Sequence, residues 1–453
     1  MIDFLISLMS FVVALGLLIA IHEYGHYWVA QKVGVKVQRF SIGFGKPLWT
    51  KVAGVDKTEY VLAAIPLGGY VKMLDERVDD VPESEKHRAF NQKTVWQRIA
   101  VTAAGPAFNF GFAIIAYWLI FVTGVQGLKP LVGDVIDQSP MAISGVQHGD
   151  LITGINDQDV PTIEALRLKL IDAALSGNVV TLNVEGDSGE RQLSLDLSGI
   201  NADSIDEHFL KRIGYTPLRP IIPAVIASVQ DDSPAARAGL RKGDEILAID
   251  GREMVDWMAF AAYVRERPDT EIEMDVKRDS QRLTVLVVPA IIEGAEKPIG
   301  RVGASPMIPE GLFDAFRAEQ KYSVFESVTR AIDKTWDMSI LTLRMLWKML
   351  IGEASLDNIS GPLSIASYAG QSAQVGFESF IAFLAIISVS LGVLNLLPVP
   401  VLDGGHILYY LIEIIKGSPV SEETQLFGQK LGLIILGGLM FLALYNDFQR
   451  ILS

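Results

Sequence analysis

His22 and His26 stand four residues apart at the end of an apolar run, residues 4 to 21, that carries no charge. On a helix that spacing sends both imidazoles out of one face, where they can grip a single ion. Glu23 follows one position round, placed to take a proton from an attacking water without being needed as a ligand. Two neutral nitrogens, one carboxylate base and a vacant position make up the set required for metal-assisted amide hydrolysis. The bland alternative is a pair of helix-surface histidines beside an acid. Polar groups at membrane depth are expensive, however, and are retained where they act.

The chain has no cysteine, so any zinc must be held by His, Asp or Glu. A candidate for the third ligand lies near the other end, where an apolar segment over 377 to 397 runs into the sequence from Asn395 to His406. Pro398 and Pro400, two apart, cannot both sit in an intact helix, so the backbone must open there. Opened backbone at membrane depth is tolerated where it lines a cavity. Counting spans places His26 and Asp403 toward the same ends of their helices, and Asp403 completes a three-ligand site with one position left. His406 is the rival third ligand, and a plain Asp-Gly turn is the reading without chemistry.

The elements that must position these groups follow from hydropathy. With 453 residues, half of them hydrophobic, the chain holds several domains, some of them in a bilayer. Spans are predicted at 4–28, 99–124, 377–397 and 429–446. Asp3 stands where a signal peptide would be basic, so the first span is read as retained. Lys32, Lys36, Arg39 and Lys46 follow it, and Arg88, Lys93 and Arg98 precede the second. By the positive-inside rule residues 30–98 face the cytoplasm and both termini face outward. Within that stretch Gly43, Phe44 and Gly45, and the alternating run from Tyr60 to Ile65, predict a glycine-punctuated hairpin. It either closes off the membrane domain or offers an edge strand for an extended peptide. Residues 75–93, charged and proline-containing, read as a mobile loop. Asn109 in the second span is read as a helix-packing contact, with a bond to a metal ligand as the alternative. Residues 322–352 mix Arg330, Lys334, Arg344 and Lys348 with Trp336 and Trp347, the pattern of a helix lying at a membrane surface.

The net charge of −14 is concentrated in residues 127–320, which carry 19 Lys+Arg against 32 Asp+Glu. That balance excludes nucleic acid as a partner of the block. Inside it the stretch Ser139 to Ile152 recurs 94 residues on as Ser233 to Ile246, and Ile213-Gly214 matches Val302-Gly303 in expected closing strands. The duplicated Ser-Pro and Gly-Asp pattern resembles the PDZ domain in its circularly permuted form, which binds peptides by strand addition. The modules are assigned to 127–221 and 222–309, between an N-terminal membrane domain (1–126) and, after an interfacial region (310–376), a C-terminal one (377–453).

His22-Glu23-Tyr24-Gly25-His26, together with Asn395, Pro398, Pro400 and Leu402-Asp403-Gly404 around tandem PDZ-like modules, resembles the site-2 protease family of intramembrane zinc metalloproteases. The resemblance covers nearly the whole chain. It implies a polytopic α-helical protein with about four transmembrane helices, a small cytoplasmic-side β region and two extracytoplasmic PDZ-like modules. It further implies that His22, His26 and Asp403 bind Zn2+ and that Glu23 is the general base. Asn395, Pro398 and Pro400 would hold the substrate strand beside a membrane-reentrant loop at Gly43, Phe44 and Gly45. The implied setting is the bacterial inner membrane, among lipid, with modules and termini periplasmic and the site toward the cytoplasm. The implied substrate is a single-span anti-sigma factor already trimmed outside, in an envelope stress response, with remnant signal peptides a further class. Peptide ligands of the PDZ-like modules are expected. A metal transporter, which would carry ligands along a path, and a PDZ-bearing scaffold, which needs no Glu23, are the other classes the residues allow.

Overall fold

The structure, a computed structural model, describes residues 2–452 apart from 201–204, 206–207, 293–297 and 357–358. Its first element is helix α1 (Ile2–Lys32), whose 31 residues reach about 46 Å, more than a hydrocarbon core of about 30 Å requires. Strands β1 (Val37–Ala53) and β2 (Thr58–Met73) follow as an antiparallel hairpin that doubles back on itself. Phe40 pairs with both Val71 and Tyr60, and Trp49 pairs with Leu62. The result is four short runs in the order 69–73, 37–42, 58–62 and 49–53, leaving 69–73 as an outer edge.

Residues 75–93 differ from the mobile loop expected. They form two 3-10 turns, Glu83–Arg88 and Phe90–Gln92. Their charges are paired across the fold: Lys36 reaches Glu85 at 2.7 Å and Arg88 reaches Asp56 at 2.7 Å. Helix α2 (Val95–Thr123) then starts at a capping box between Thr94 and Gln97, with Pro106 inside it.

Strand β3 (Val125–Leu128) pairs antiparallel with Arg317–Gln320, forming a two-stranded stalk from which the acidic block hangs. The expected boundary after residue 126 falls inside this strand. The first module contains α3 (Pro140–Ser144), β4 (Leu151–Ile155), β5 (Gln158–Asp159), α4 (Ile163–Leu175), β6 (Val179–Gly186), β7 (Gly189–Asp196) and α5 (Phe209–Arg212). The second contains β8 (Ile226–Val229), α6 (Pro234–Arg237), β9 (Glu245–Ile249), β10 (Arg252–Glu253), α7 (Trp257–Arg265), β11 (Ile272–Arg278), β12 (Gln281–Val287), β13 (Ala290–Ile292), β14 (Ile299–Arg301) and β15 (Ala304–Pro306); β16 is the stalk strand Arg317–Gln320.

The duplication survives in three dimensions, since the sheets run β5-β4-β6-β7 and β10-β9-β11-β12. Ser139 and Ser233 cap the short helices by accepting from Ala142 N and Ala236 N. Asp150 and Asp244, both buried, each take a backbone N–H and an arginine, Arg191 and Arg278. The residues expected in closing strands are not in strands. Ile213 lies in a turn and Val302 in the link between β14 and β15, and their carbonyls accept from Met141 N and Ala235 N, so the shared pattern there records a clasp on the short helix.

Helix α8 (Val324–Leu350) has three faces. Ser327, Ala331 and Thr335 are buried, with Ala331 in an apolar cluster shared with α2. Arg344 grips the first module at Asp172 and, at 2.7 Å, at Ser176 Oγ. Phe325, Val328, Ile332 and Trp336, three to four residues apart, and Leu343 and Trp347, two and three turns further on, form an uncovered apolar stripe. The chain closes with α9 (Pro362–Val375), α10 (Phe377–Leu396), α11 (Asp403–Lys416) and α12 (Glu422–Leu452). Among the described residues α1, α2, α10 and α12 are the four helices long and apolar enough to cross a membrane. The fourth span is longer than 429–446 because Glu422 and Glu423 open a continuous helix.

Candidate metal centre

The centre begins where α1 crosses α2. A Cβ on Gly25 would overlap the carbonyl of Ala104, and one on Gly105 would overlap both imidazoles, so the helices meet at van der Waals distance. Val101, Gly105 and Asn109 share one stripe of α2 at four-residue spacing and face His26, both rings and His22 respectively. His26 Nδ1 lies 2.8 Å from the Val101 carbonyl. It donates there, which leaves Nε2 with a free lone pair. Pro106, inside the unbroken α2, has no N–H to give the Thr102 carbonyl.

Asp403 arrives from the far end of the chain. Helix α10 stops at Leu396 before Pro398 and Pro400, and α11 starts at Asp403 itself, so the Asp-Gly pair opens a helix where a plain turn was the alternative. Gly404 packs onto the backbone of Leu396, folding Asp403 back toward α1. Further along α11, Glu413 meets Arg98 of α2 at 2.6 Å, and the Arg98 guanidinium lies 4.8 Å from the Tyr410 ring centre. These contacts seat α11 against α2.

The three groups converge. His22 Nε2, His26 Nε2 and Asp403 Oδ2 are separated by 3.2 Å, 3.2 Å and 3.4 Å, a nearly equilateral triangle. A tetrahedral site with ligands about 2.0–2.1 Å from the metal demands ligand separations of about 3.3 Å. Asp403 Oδ2 is buried and accepts no hydrogen bond. Two imidazole nitrogens and an orphaned carboxylate oxygen at these distances fit a zinc ion, and they leave one vertex open. Among the described residues this is the group able to hold a metal. His406 lies outside it, edge-on to Tyr409 with ring centres 6.3 Å apart.

Glu23 is buried, and strand β2 is pressed onto it. A Cβ on Gly69 would sit 2.8 Å from Glu23 Cγ and 2.7 Å from the Ser41 carbonyl, so no other residue lets the outer run 69–73 lie so near the carboxylate. Gly43 and Gly45 have φ of 92° and 85° at the bend of β1. Phe44 between them stacks on Tyr70, with centroids 6.2 Å apart and planes 9° apart. Asn395 is half-buried in the last turn of α10, Pro398 is exposed, and Pro400 is half-buried under Gly428 and Gly432 of α12. Sequence reasoning misses Val101; it reads Gly105 as a small residue that lets helices approach, Gly69 as a glycine punctuating the hairpin, and Asn109 as a packing contact with a bond to a metal ligand as the alternative. A small residue one turn before Asn109 was the available signal.

Residues 10–439 match peptidase family M50. Over 453 residues and the full length of both chains, the protein is 44% identical to the regulator of sigma-E protease RseP of Escherichia coli K12. It is 43% identical to the protease RseP of Yersinia pestis over all of both chains. Against the regulator of sigma E protease of Haemophilus influenzae the identity is 40%, covering 99% of this chain and 100% of that one. The chain belongs to peptidase family M50, the site-2 protease family of zinc metalloproteases.

Proposed function

We propose that the protein cuts a peptide bond inside the transmembrane segment of a single-span substrate, with His22, His26 and Asp403 holding Zn2+ and Glu23 acting as general base. The triangle of Nε2, Nε2 and Oδ2 atoms carries this reading. Zinc bound there supplies Lewis acidity toward the attacking water and the scissile carbonyl. Glu23 takes the proton of that water and returns one to the departing amine. A helical substrate hides its carbonyls in hydrogen bonds and must be drawn out before attack. The free edge at 69–73, held against Glu23 by Gly69, supports strand pairing as the means. Asn395, Pro398 and Pro400, with the loop at Gly43, Phe44 and Gly45, would hold the other side of the extended segment.

The names of the relatives support a role in proteolysis that regulates sigma E, and the proposed substrate is a single-span anti-sigma factor. Basic residues beside α1 and α2 support a cytoplasmic hairpin and a metal site toward that side of a bacterial inner membrane. The acidic block, read as two PDZ-like modules, and both termini then lie in the periplasm. The uncovered stripe of α8, with Trp336 and Trp347, would lie in the lipid interface. The test is cleavage of a single-span model substrate by the purified protein in liposomes. Cleavage within the span, stopped by a zinc chelator and restored by zinc, is expected; cleavage indifferent to chelation, or confined to an aqueous loop, would overturn the reading.

A further inference from the structure

Asn109 is completely buried on α2, and its two amide atoms are unequally served. Nδ2 lies 3.2 Å from His22 Nδ1, while Oδ1 meets no hydrogen-bond donor. His22 Nε2 is the atom in the triangle, so a neutral His22 that offers a lone pair there carries its proton on Nδ1. With Nδ2 on that side, the N–H would face the N–H of an amide. Turning the amide end over end removes the conflict, because O and N exchange places within the same outline. Oδ1 then accepts from His22 Nδ1, and the otherwise unserved oxygen is satisfied in a place where an unmet polar group is costly.

We infer that Asn109 is a positioning residue for the zinc site, accepting the Nδ1 proton of His22 and so fixing the tautomer and ring plane that present Nε2 to the metal. The inference rests on the assignment of His22 as a zinc ligand. It makes the two histidines equivalent: His26 is held through Nδ1 by the Val101 carbonyl, His22 by an amide two turns along α2, and Gly105 between them gives both rings room. Ser388 Oγ of α10 donates to the Asn109 backbone carbonyl at 2.9 Å, so the residue is also pinned from the third membrane helix.

The experiment is zinc affinity, measured by competition with a chromophoric chelator on the full-length protein in detergent, for Asn109→Ala, Asn109→Asp, His22→Ala, Asp403→Ala and the double variant Asn109→Ala/His22→Ala. Loss of the acceptor is expected to weaken zinc about 10- to 100-fold. Asn109→Asp, a stronger acceptor of the same shape, is expected to hold zinc at least as tightly as wild type. The double variant is expected to be no weaker than His22→Ala alone, because Asn109 acts through that ring. Equal affinity in wild type and Asn109→Ala would overturn the inference. So would a drop in Asn109→Asp, the result expected if the amide donates, and this variant decides the matter should Asn109→Ala not fold. An additive loss in the double variant would also overturn it and make the residue a packing element. Unchanged zinc in His22→Ala or Asp403→Ala would instead strike the ligand assignment.

Discussion

Gly105 of α2 lies directly beneath His26 of α1, with no room for a single methyl group between them. The two helices therefore share a contact in which backbone meets imidazole, and the metal triangle is built on it. Gly105→Ala must either part the helices or tilt both rings off the triangle. We expect zinc affinity to fall tenfold or more, as for other residues that support ligands, while the helical content stays. Chelator competition checks this; unchanged affinity would mean that the crossing yields without moving the rings.

Removing the base should separate binding from chemistry. Glu23→Gln spares all three triangle atoms and the contact with Gly69, so zinc content is expected to match wild type. Cleavage of a membrane-embedded substrate should drop about a hundred- to ten-thousand-fold, the contribution of a positioned general base. A variant that still cleaves near the wild-type rate would show that another group takes the proton.

Asp403 and His406 lie within one turn of each other on α11, yet only Asp403 reaches the triangle. Asp403→Ala is expected to lose zinc during purification and His406→Ala to retain it. Elemental analysis of the two proteins decides the third ligand, and the reverse pattern would pass the role to His406.

How far the sequence foretold this site depends on how local each relationship is. His22, Glu23 and His26 are legible because helix periodicity alone sets their geometry. Asp403 is legible because two prolines force the backbone open beside it. The stripe on α2 is legible only in part: Gly105 and Asn109 read as positions of close helix approach, with a metal ligand the alternative partner of Asn109, but which ring each residue serves, and that Val101 serves one at all, depends on how α1 crosses α2. Lys36–Glu85 and Arg88–Asp56 escaped for the same reason: charge composition marks 75–93 as polar but does not say that its partners wait on the hairpin. The hairpin itself was expected, but not its doubling back. Residues 39–42 of β1 pair on both sides at once, and nothing within seventeen residues of strand sequence shows that both flanks come from β2.

The second module carries a pH-sensitive pin. Burial would raise the Asp244 pKa, but the Arg278 guanidinium and the Arg241 N–H, both donating to its carboxylate, outweigh this and hold it below the usual carboxylate range. Stability from this group is full above the unfolded value of about 4 and is lost as pH falls through the lower folded value. Asp244→Asn leaves Arg278 without its carboxylate, at a cost of about 3 kcal/mol. Pulse proteolysis across urea at neutral pH should show the variant's module opening at lower urea. The gap should narrow as pH falls below about 4; a gap that persists or widens in acid would show that the pair is not the source.

The acidic block can act as a filter or as a receptor, and the stalk allows the two to be separated. Strands β3 and β16 pair residue for residue, from Gln320 with Val125 to Arg317 with Leu128, so the block enters and leaves the membrane domain at one place. Replacing residues 130–315 by a short glycine linker would keep that ribbon and leave α2 joined to α8. If the modules screen the route to the metal by size, such a protein should cut a substrate with an intact outer domain, which the full chain refuses, and should cut a trimmed one about as before. A receptor predicts the opposite, a loss of cleavage of both. Removing the first module also frees Arg344 from Asp172 and uncovers Leu341, Met345 and Met349, which pack against its core. Zinc content of the shortened protein must therefore be measured alongside. With zinc retained, failure to cut either substrate would reject the filter.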